Sequence, residues 1–304
     1  MSMFDPVALE CFAAIIEEGG FERAARRLSV TQSAVSQRLR TLEAQAGTVL
    51  LVRTRPLRAT KAGQLLLRHA KQLRLLRAGL ELDLKDLAPN AMGSGARRED
   101  ERISIAINAD SIATWALDAL DGLVRRGLPV EVIADDQDFT HEWLRSGQVL
   151  GCVTTLKQAL RGCKLAPLGS MSYIAIAAPD FARERLPQGL TAHNFRALPF
   201  AAFNRKDDMQ AEFVSKAFGL KHVSLKQIFV PSSEGQVRAV LAGWGLSVVP
   251  ELLVRGLIEQ GRLVNAAPQH QQKVALYWHC WNLQSDVLDA LTQALSEAAS
   301  ALQD

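Results

Sequence analysis

A short polar stretch near the N-terminus has the residue types that read DNA bases. Gln32, Ser33, Ser36 and Gln37 lie within six residues of one another, among apolar positions with helical spacing. A glutamine amide can bond an adenine edge with two hydrogen bonds, and a serine hydroxyl can serve either base of a pair. A long lysine would find phosphate instead and discriminate poorly. The stretch therefore predicts a helix that reads base edges in duplex DNA.

Three short helices are needed to hold this stretch in place. Asp5 before Pro6 predicts the start of the first, because an acidic cap and a proline in the first turn favour a helix N-terminus. Phe21–Leu28 forms a short second helix, and after a tight turn Thr31 caps a third that runs to Gly47. This order is typical of helix-turn-helix proteins, in which the last helix enters the major groove. The apolar positions expected to face inward on it are Ala34, Val35, Leu39 and Leu42.

A basic wing is predicted directly after the third helix. Val49–Val52 has the pattern of a short strand, and residues 53–58 form a basic turn that contains a proline. Ala59 and Thr60 would begin the return strand. Arg53 and Arg55 would then lie beside DNA phosphates.

Charge is distributed unevenly along the chain. The net charge is only +3 over 304 residues, but residues 1–98 hold sixteen basic against nine acidic side chains. Between Phe21 and Arg77 the imbalance is thirteen to two. We therefore expect the N-terminal part to bind a polyanion. The remainder has more acidic than basic side chains, so we do not expect it to bind one.

A long helix follows the wing and carries leucines at heptad spacing. Thr60 can cap this helix, and the periodic positions are Leu66, Leu73, Leu80 and Leu87. Leucine at every seventh residue favours a seam between two helices, so we expect the helix to pair two copies of the chain. The alternative is a single helix that packs on its own domain.

The remainder of the chain alternates between apolar strands and helices. Residues 88–100 contain proline, asparagine, glycines, serine and charges, which is typical of a linker. Beyond it, strand-like segments such as Ile103–Ile107 and Val130–Ala134 alternate with amphipathic segments such as Ser111–Arg126. This order predicts an α/β fold with largely parallel sheets. Because roughly two hundred residues exceed one compact sheet, we expect two α/β lobes.

Catalytic and metal-binding patterns are missing from the sequence. It contains no Walker A, GxSxG or HExxH motif, and its six histidines and four cysteines form no cluster with zinc spacing. We therefore expect no enzyme activity, no cofactor and no metal. Cys152 and Cys163, the cysteines closest in sequence, leave a redox switch as an alternative.

The composition is that of a soluble globular protein. Apolar residues make up 48% of the chain and charged residues 22%. No stretch approaches the roughly 18 uninterrupted apolar residues of a membrane helix. The first residues, from Met1 to Asp5, lack the basic and then apolar pattern of a secretory signal. We therefore expect a cytoplasmic protein without a membrane partner.

The helix-turn-helix and the wing together resemble a known family. The segments FERAARRLSVTQSAVSQRLRTLEAQAG and LLVRTRPLRATKAG are similar to the winged helix-turn-helix of LysR-type transcriptional regulators, and the resemblance continues over the whole chain. Four further segments resemble the arginine/lysine-responsive branch of that family, which controls basic amino acid export. They are NADSIATW (Asn108–Trp115), DDM (Asp207–Met209), SSE (Ser232–Glu234) and LYWH (Leu276–His279).

The resemblance implies a DNA-binding domain, a dimerising linker helix and a two-lobed effector domain that resembles periplasmic binding proteins. It also implies homodimers that pair into tetramers on double-stranded DNA, one small effector per pair of lobes, and RNA polymerase as a further candidate partner. The implied boundaries are 1–60 for the winged helix-turn-helix (21–40 for the helix-turn-helix itself), 61–88 for the linker helix, 89–102 for a flexible linker, 103–165 with 266–304 for lobe one, and 166–265 for lobe two.

Matching the family motif residue by residue gives the candidate DNA contacts. Gln37 stands where many relatives carry arginine, which leaves its base preference open. Arg38 is either a DNA contact or an ordinary solvated helix residue. The candidate DNA contacts are Thr31, Gln32, Ser33, Ser36, Gln37, Arg38, Arg53 and Arg55.

The same resemblance implies a site for a basic amino acid. Such a ligand presents a carboxylate, which favours the N–H groups at helix starts, and cationic groups, which need acids. Asp110 and Ser232 are also good helix caps, so a purely structural role is the alternative for them. The candidate effector contacts are Asn108, Asp110, Ser111, Asp135, Asp208, Ser232 and Ser233.

Three interpretations of the whole chain follow. The leading one is a regulator of amino acid export or metabolism genes that is gated by L-lysine or L-arginine. One alternative keeps the DNA-binding end but gives the lobes a different small molecule or a redox signal. The other, from a different class, is an amino-acid-binding α/β protein without regulatory DNA binding.

Overall fold

The computed structural model describes residues 4–52, 54, 56–87 and 102–302, so the predicted linker lies almost entirely outside it. The N-terminal domain contains α1 (Pro6–Glu17), α2 (Phe21–Arg27), α3 (Gln32–Ala46), β1 (Leu51–Val52), β2 (Arg58–Ala59) and α4 (Lys61–Leu87). The C-terminal domain contains β3 (Ile103–Asn108), α5 (Ala109–Ile112), α6 (Ala116–Arg125), β4 (Val130–Asp135), α7 (Thr140–Arg145), β5 (Gly151–Thr154), β6 (Cys163–Ala177), α8 (Pro179–Arg185), β7 (Pro199–Ala202), α9 (Met209–Phe218), β8 (Lys226–Phe229), α10 (Ser233–Leu241), β9 (Ser247–Pro250), α11 (Glu251–Glu259), β10 (Val264–Asn265), β11 (Gln272–Trp281) and α12 (Asp286–Ala298).

Local signals fix the ends of the N-terminal helices. The side chain of Asp5 accepts a hydrogen bond from the backbone N of Val7 at 3.0 Å, and that of Thr31 accepts one from Ala34 at 3.2 Å. α3 ends at Gly47, whose φ of +65° suits a glycine. Because one apolar face of α3 is buried in the domain core, the polar face points outward. The buried residues of α3 are Val35, Leu39 and Leu42.

The wing is shorter than predicted. The predicted first strand begins at Val49, but antiparallel pairing with β2 covers only Leu51–Val52. The carbonyl of Val49 instead accepts a hydrogen bond from Thr60 Oγ1 at 2.8 Å. The same hydroxyl accepts one from the backbone N of Gly63 at 3.1 Å, so Thr60 joins the wing to the start of α4.

A partly buried cluster of charges ties α1 to α4, and we call it the Glu17 cluster. It consists of Glu10, Glu17, Arg27, Lys71 and Arg74. Glu17 lies 2.7 Å from Arg27, 3.2 Å from Lys71 and 2.9 Å from Arg74. Burial alone would raise the pKa of Glu17, but these cations outweigh it and lower the pKa to about 2.

The C-terminal domain contains a seven-stranded sheet in the order β10-β6-β11-β5-β3-β4, with β9 also beside β6. Only β3 with β4 and β3 with β5 pair in parallel among its described strands. The prediction of largely parallel sheets is therefore wrong for this sheet. The chain passes from one half of the domain to the other along β6 and comes back along β11. These neighbouring strands are therefore antiparallel. A second, parallel sheet pairs β7 with β8.

Two groups of elements face each other across a cleft in this domain. Lobe one is the group β3–β5 with α5–α7, and lobe two is the group β7–β9 with α8–α11. The carboxyl ends of β3 and β4 lie opposite the start of α10. The exact lobe boundaries remain a prediction.

The helix predicted over Ser111–Arg126 is divided into α5 and α6. The backbone of Trp115 leaves the helical conformation, with φ of −133°. Its indole is only 4% exposed and packs in the main core of the domain. Burial of this large ring therefore interrupts the helix in a way that periodicity alone does not show.

Candidate functional site

The predicted reading residues lie together at the start of α3. The side chains of Gln32, Ser33 and Gln37 are exposed, and Ser36 is half-buried beside them. The hydroxyl of Thr31 caps the helix and lies 2.9 Å from the Ser33 hydroxyl, which couples the two groups. The structure thus presents amides and hydroxyls of the right types on one exposed face, as base readout requires.

Arg38 is held against the first helix. Its Nη1 lies 3.4 Å from the sulfur of Cys11, and this hydrogen bond raises the pKa of the guanidinium. The contact directs part of the side chain toward α1. Arg53 and Arg55 of the wing lie outside the described residues, whereas Arg58 on β2 is exposed.

Two of the four leucines predicted to form a dimer seam on α4 pack against the chain's own N-terminal domain. Leu66 is 9% exposed within the core of the N-terminal domain, and Leu73 is partly buried against the same core. These two leucines therefore pack on their own domain, since α4 covers the helices that precede it. Leu80 is 57% exposed and stays available to a partner, while nothing is described of the Leu87 side chain.

A small enclosed pocket lies where the two lobes meet, and we call it the acid pocket. Asn108 and Asp135, which are neighbours at the carboxyl ends of β3 and β4, form part of its wall. Its free volume is about 30 Å³, which holds only a few water molecules. The acids that line it are Asp110, Asp135, Asp136 and Asp207. Four side-chain amides also line it, those of Asn108, Gln137, Gln210 and Gln236.

Asp110 bridges the two lobes. Its Oδ1 accepts a hydrogen bond from Ser233 at the start of α10 at 2.6 Å, and its Oδ2 accepts one from the Tyr173 hydroxyl at 2.7 Å. The same hydroxyl lies 3.2 Å from Gln137 Oε1. Because Tyr173 and Ser233 follow Asp110 by 63 and 123 residues, this site is created entirely by the tertiary fold.

The acids of the pocket are electrostatically unsatisfied. Burial raises the pKa of Asp110, even though Ser233 and Tyr173 donate hydrogen bonds to it. Burial also raises the pKa of Asp136 to about 6, and the nearby charge of Asp207 adds to the shift. The pKa of Asp207 is raised by burial as well. Each of these groups would be stabilised in its charged form by a cation.

The structure brings some of the predicted effector residues to the pocket and leaves others outside. Asn108 is 1% exposed, and its side-chain amide has no hydrogen-bond partner among the described residues. Ser111 is fully buried beside it. Ser232 is exposed and caps α10 through the backbone N of Gly235 at 3.1 Å. Asp208 is exposed and lines a neighbouring cavity rather than the acid pocket.

Asp207, not Asp208, faces the acid pocket. Its carboxylate accepts hydrogen bonds from the backbone N of Phe203 at 2.8 Å and of Met209 at 2.9 Å, and these bonds turn it inward. Sequence reasoning also missed Gln210 and Gln236. Both are nearly fully buried, and a long amide on the apolar face of a helix is the signal that would have found them.

The neighbouring cavity continues the pocket toward solvent. Its volume is about 360 Å³, and its wall shares Asp136, Gln137, Asp207 and Met209 with the acid pocket. It differs from that pocket in charge, because its wall mixes acids and bases. The acids found only there are Asp138, Asp208 and Glu212, and the basic side chains are Lys157, Lys216 and Lys273, of which Lys216 is paired with Glu212 at 2.8 Å.

The cysteines are poorly suited to a redox switch. Burial raises the pKa of the Cys152 thiol well above its usual range and that of Cys163 to about 11. The thiolate is the reactive form, so both thiols are held in the inert state. Within the described parts of the chain, no group of three or more His, Cys, Asp or Glu side chains is placed to hold a metal ion. No described helix combines the length and apolar character needed to cross a membrane.

Family models match both domains. The model described as "Bacterial regulatory helix-turn-helix protein, lysR family" matches residues 7–64, and the model described as "LysR substrate binding domain" matches residues 96–300. The first match covers α1 to the start of α4, and the second covers both lobes. The chain is also 41% identical over 298 residues to the HTH-type transcriptional regulator LysG from Mycobacterium bovis, which is 98% of this chain and 94% of the relative.

Solved structures share this architecture over the full chain. The crystal structure of ArgP from Mycobacterium tuberculosis is 39% identical, with a TM-score of 0.81 and coverage of 99% of this chain and 98% of that chain. Full-length LysG from Corynebacterium glutamicum with bound effector arginine is 31% identical, with a TM-score of 0.71 and coverage of 99% and 100%. The winged helix-turn-helix and the C-terminal domain thus belong to one recognised architecture. This chain is a member of the LysR family of DNA-binding transcription regulators.

Proposed function

We propose that this regulator is gated by a basic amino acid, L-arginine or L-lysine, bound between the lobes. The observation that carries the proposal is the acid pocket, which has four carboxylates and no basic residue among the described residues that line it. The raised pKa values of Asp110, Asp136 and Asp207 mark sites that a cation would relieve. The arginine bound in the Corynebacterium glutamicum relative supports this choice of ligand.

The two cavities suggest how the ligand is oriented. The side-chain cation of the ligand enters the acid pocket, and its α-carboxylate lies in the neighbouring cavity within reach of the basic side chains there. Because the acid pocket holds only about 30 Å³, it must widen when the ligand enters. The buried amide of Asn108 is available to hydrogen-bond the ligand.

The DNA-binding end acts through α3 and the wing. Gln32, Ser33, Ser36 and Gln37 meet base edges, while Arg53 and Arg55 meet phosphates. A dimer or tetramer reads half-sites separated by whole helical turns of DNA. The controlled genes serve amino acid export or metabolism, RNA polymerase is a candidate partner, and the protein works in the cytoplasm without catalysing a reaction.

Calorimetric titration of the full chain tests the effector. Arginine and lysine are expected to bind, whereas citrulline, which has the shape of arginine but a neutral end, is expected not to. Asp207→Asn should weaken arginine binding at least tenfold, and the exposed neighbour Asp208→Asn should change it much less. Equal affinity for arginine and citrulline would contradict the proposal.

A mobility-shift assay tests base reading. Gln32→Ala removes one amide from the start of α3 and is expected to lower affinity for the specific site by about 1–3 kcal/mol. Affinity for random DNA should stay nearly constant, because phosphate contacts supply it. Gln45→Ala, at an exposed position of the same helix, is the matched control. Equal losses on both DNAs would show that Gln32 does not read bases.

A further inference from the structure

The acid pocket and a second cavity share a wall. The second cavity, which we call the interdomain crevice, has a volume of about 970 Å³ and lies between the N-terminal domain and lobe one. On one side it is lined by the wing residues Leu57 and Arg58, and on the other by Phe139 and Trp143. Asp135 is the one side chain, among the described lining residues, that borders both cavities.

Both carboxylate oxygens of Asp135 accept hydrogen bonds. Oδ1 accepts a hydrogen bond from the backbone N of Asp136 at 2.8 Å, and Oδ2 accepts one from the indole Nε1 of Trp143 at 2.7 Å. Trp143 is half-buried on α7 and packs against the core of the C-terminal domain. The indole thus donates one neutral N–H to a carboxylate that borders the acid pocket.

A cationic ligand in the acid pocket competes for this acceptor. Hydrogen bonds from a charged donor are roughly twice as strong as those between neutral groups. A guanidinium or ammonium group that approaches Asp135 therefore draws its carboxylate away from the Trp143 indole. The indole, once released, can shift on the crevice side of the wall.

α7 leads directly to the contacts that hold the N-terminal domain. The carbonyl of Arg145, at the end of α7, accepts a hydrogen bond from Arg68 of α4 at 2.9 Å. The carbonyl of Gln148 accepts one from the buried ammonium of Lys71. Between them, Gly147 lies so close to α4 that an added Cβ would be 2.9 Å from the backbone N of Arg68.

We propose that Trp143 is a positioning residue that couples occupancy of the acid pocket to the placement of the winged helix-turn-helix. The inference rests on the proposed effector function. The coupling runs from Asp135 to Trp143, along α7, and through the docking contacts to α4. Each step is a direct contact within one chain. Both the pocket and the DNA-binding domain can therefore bias the same element, as allosteric coupling requires.

Trp143→Phe tests the route, because it keeps an aromatic ring and removes only the N–H donor and part of the indole. DNA affinity and arginine affinity are measured for the full chain, each with and without the other ligand. In the unaltered protein arginine should change DNA affinity by a factor of about 5 to 150. In Trp143→Phe arginine should still bind within about threefold, while this factor falls to near one. Trp244→Phe, at a 53% exposed tryptophan, should leave the factor unchanged.

A second readout follows Trp143 directly. With 5-fluorotryptophan in place of tryptophan, the ¹⁹F resonance absent from Trp143→Phe is assigned to Trp143, and arginine should shift it. Gly147→Ala disturbs the docking contact rather than the pocket, and should lower the coupling factor without loss of arginine affinity. A full coupling factor in Trp143→Phe, with normal arginine binding, would overturn the route alone. Absence of arginine binding to the unaltered protein would overturn the proposed function, and the route with it.

Discussion

The buried charges of the N-terminal domain are paired with opposite charges, whereas those of the acid pocket are not. In the Glu17 cluster, cations lower the pKa of the central carboxylate to about 2, against the effect of burial. In the acid pocket, burial and neighbouring acids raise the pKa of Asp136 to about 6. Carboxyl groups thus have opposite pKa shifts in the two places, because only the Glu17 cluster contains cations that outweigh desolvation.

This difference separates a structural charge cluster from a binding site. The Glu17 cluster is complete within the chain, so its charges hold α1, α2 and α4 together and need nothing from solution. The acid pocket lacks a basic residue among its described lining residues, which is why we propose that a cation from solution binds there. An uncompensated buried charge lowers the stability of a protein. Proteins retain such charges where they serve a function.

The largest expected effect comes from removing the central acid of the complete cluster. Glu17→Gln leaves the buried Lys71 without its carboxylate and should lower the free energy of unfolding by about 1–3 kcal/mol, as measured by urea denaturation, because solvent partly screens Glu17. The folded pKa lies below the ordinary value of 4.5, so the contribution is present above that pH and is lost as the pH falls toward 2. Glu22→Gln, at an exposed position of α2, is the control and should change little. A loss no larger than the control's would show that the cluster is not structural.

The opposite result is expected for an acid of the pocket. Asp136→Asn removes a carboxylate whose ionisation opposes folding, so the ligand-free protein should melt at a higher temperature at neutral pH. The same change should weaken arginine binding at least tenfold, because it removes part of the counter-charge. Scanning calorimetry with and without arginine measures both effects, and Asp118→Asn on the exposed surface of α6 is the control. A destabilised variant that still binds arginine would remove the distinction between the two clusters.

The smallest of the three effects is a pH dependence of ligand affinity. The pKa of Asp136 is about 6 without ligand, and a bound cation lowers it, so binding releases a proton near that pH. Arginine affinity should therefore rise several-fold between pH 5 and pH 7. Titration calorimetry in buffers of different ionisation enthalpy detects the released proton. An affinity that is constant over this range would indicate that Asp136 does not meet the cation.

Local signals explain why the DNA-binding end was largely predictable. Thr31 and Gly47 define the ends of α3 through short-range caps, and its apolar period gives the buried face. Leu66 shows the limit of the same reasoning, because heptad spacing does not reveal which helix a leucine packs against. Its burial within its own domain became visible only when the positions of α1 and α3 were known.

The effector end was predictable by residue type but not by geometry. Asp110 was identified, yet its partners Tyr173 and Ser233 come from distant parts of the chain and cannot be found from spacing. Asp208 was chosen from the sequence, whereas the carboxylate in the wall of the acid pocket is that of Asp207, and the reason is local. Two backbone N–H groups capture the carboxylate of Asp207 and turn it into the pocket, and such a loop conformation has no simple signature in sequence.

The bond between Asp110 and Ser233 has a consequence for the speed of the response. It joins the lobes beside a pocket of about 30 Å³, so this pocket must open further before the cationic end of a ligand can enter. At high ligand concentration the observed binding rate would then level off at the rate of this opening. A sudden rise in arginine would be answered after a delay that the protein itself sets, and brief fluctuations shorter than that delay would pass without effect on transcription.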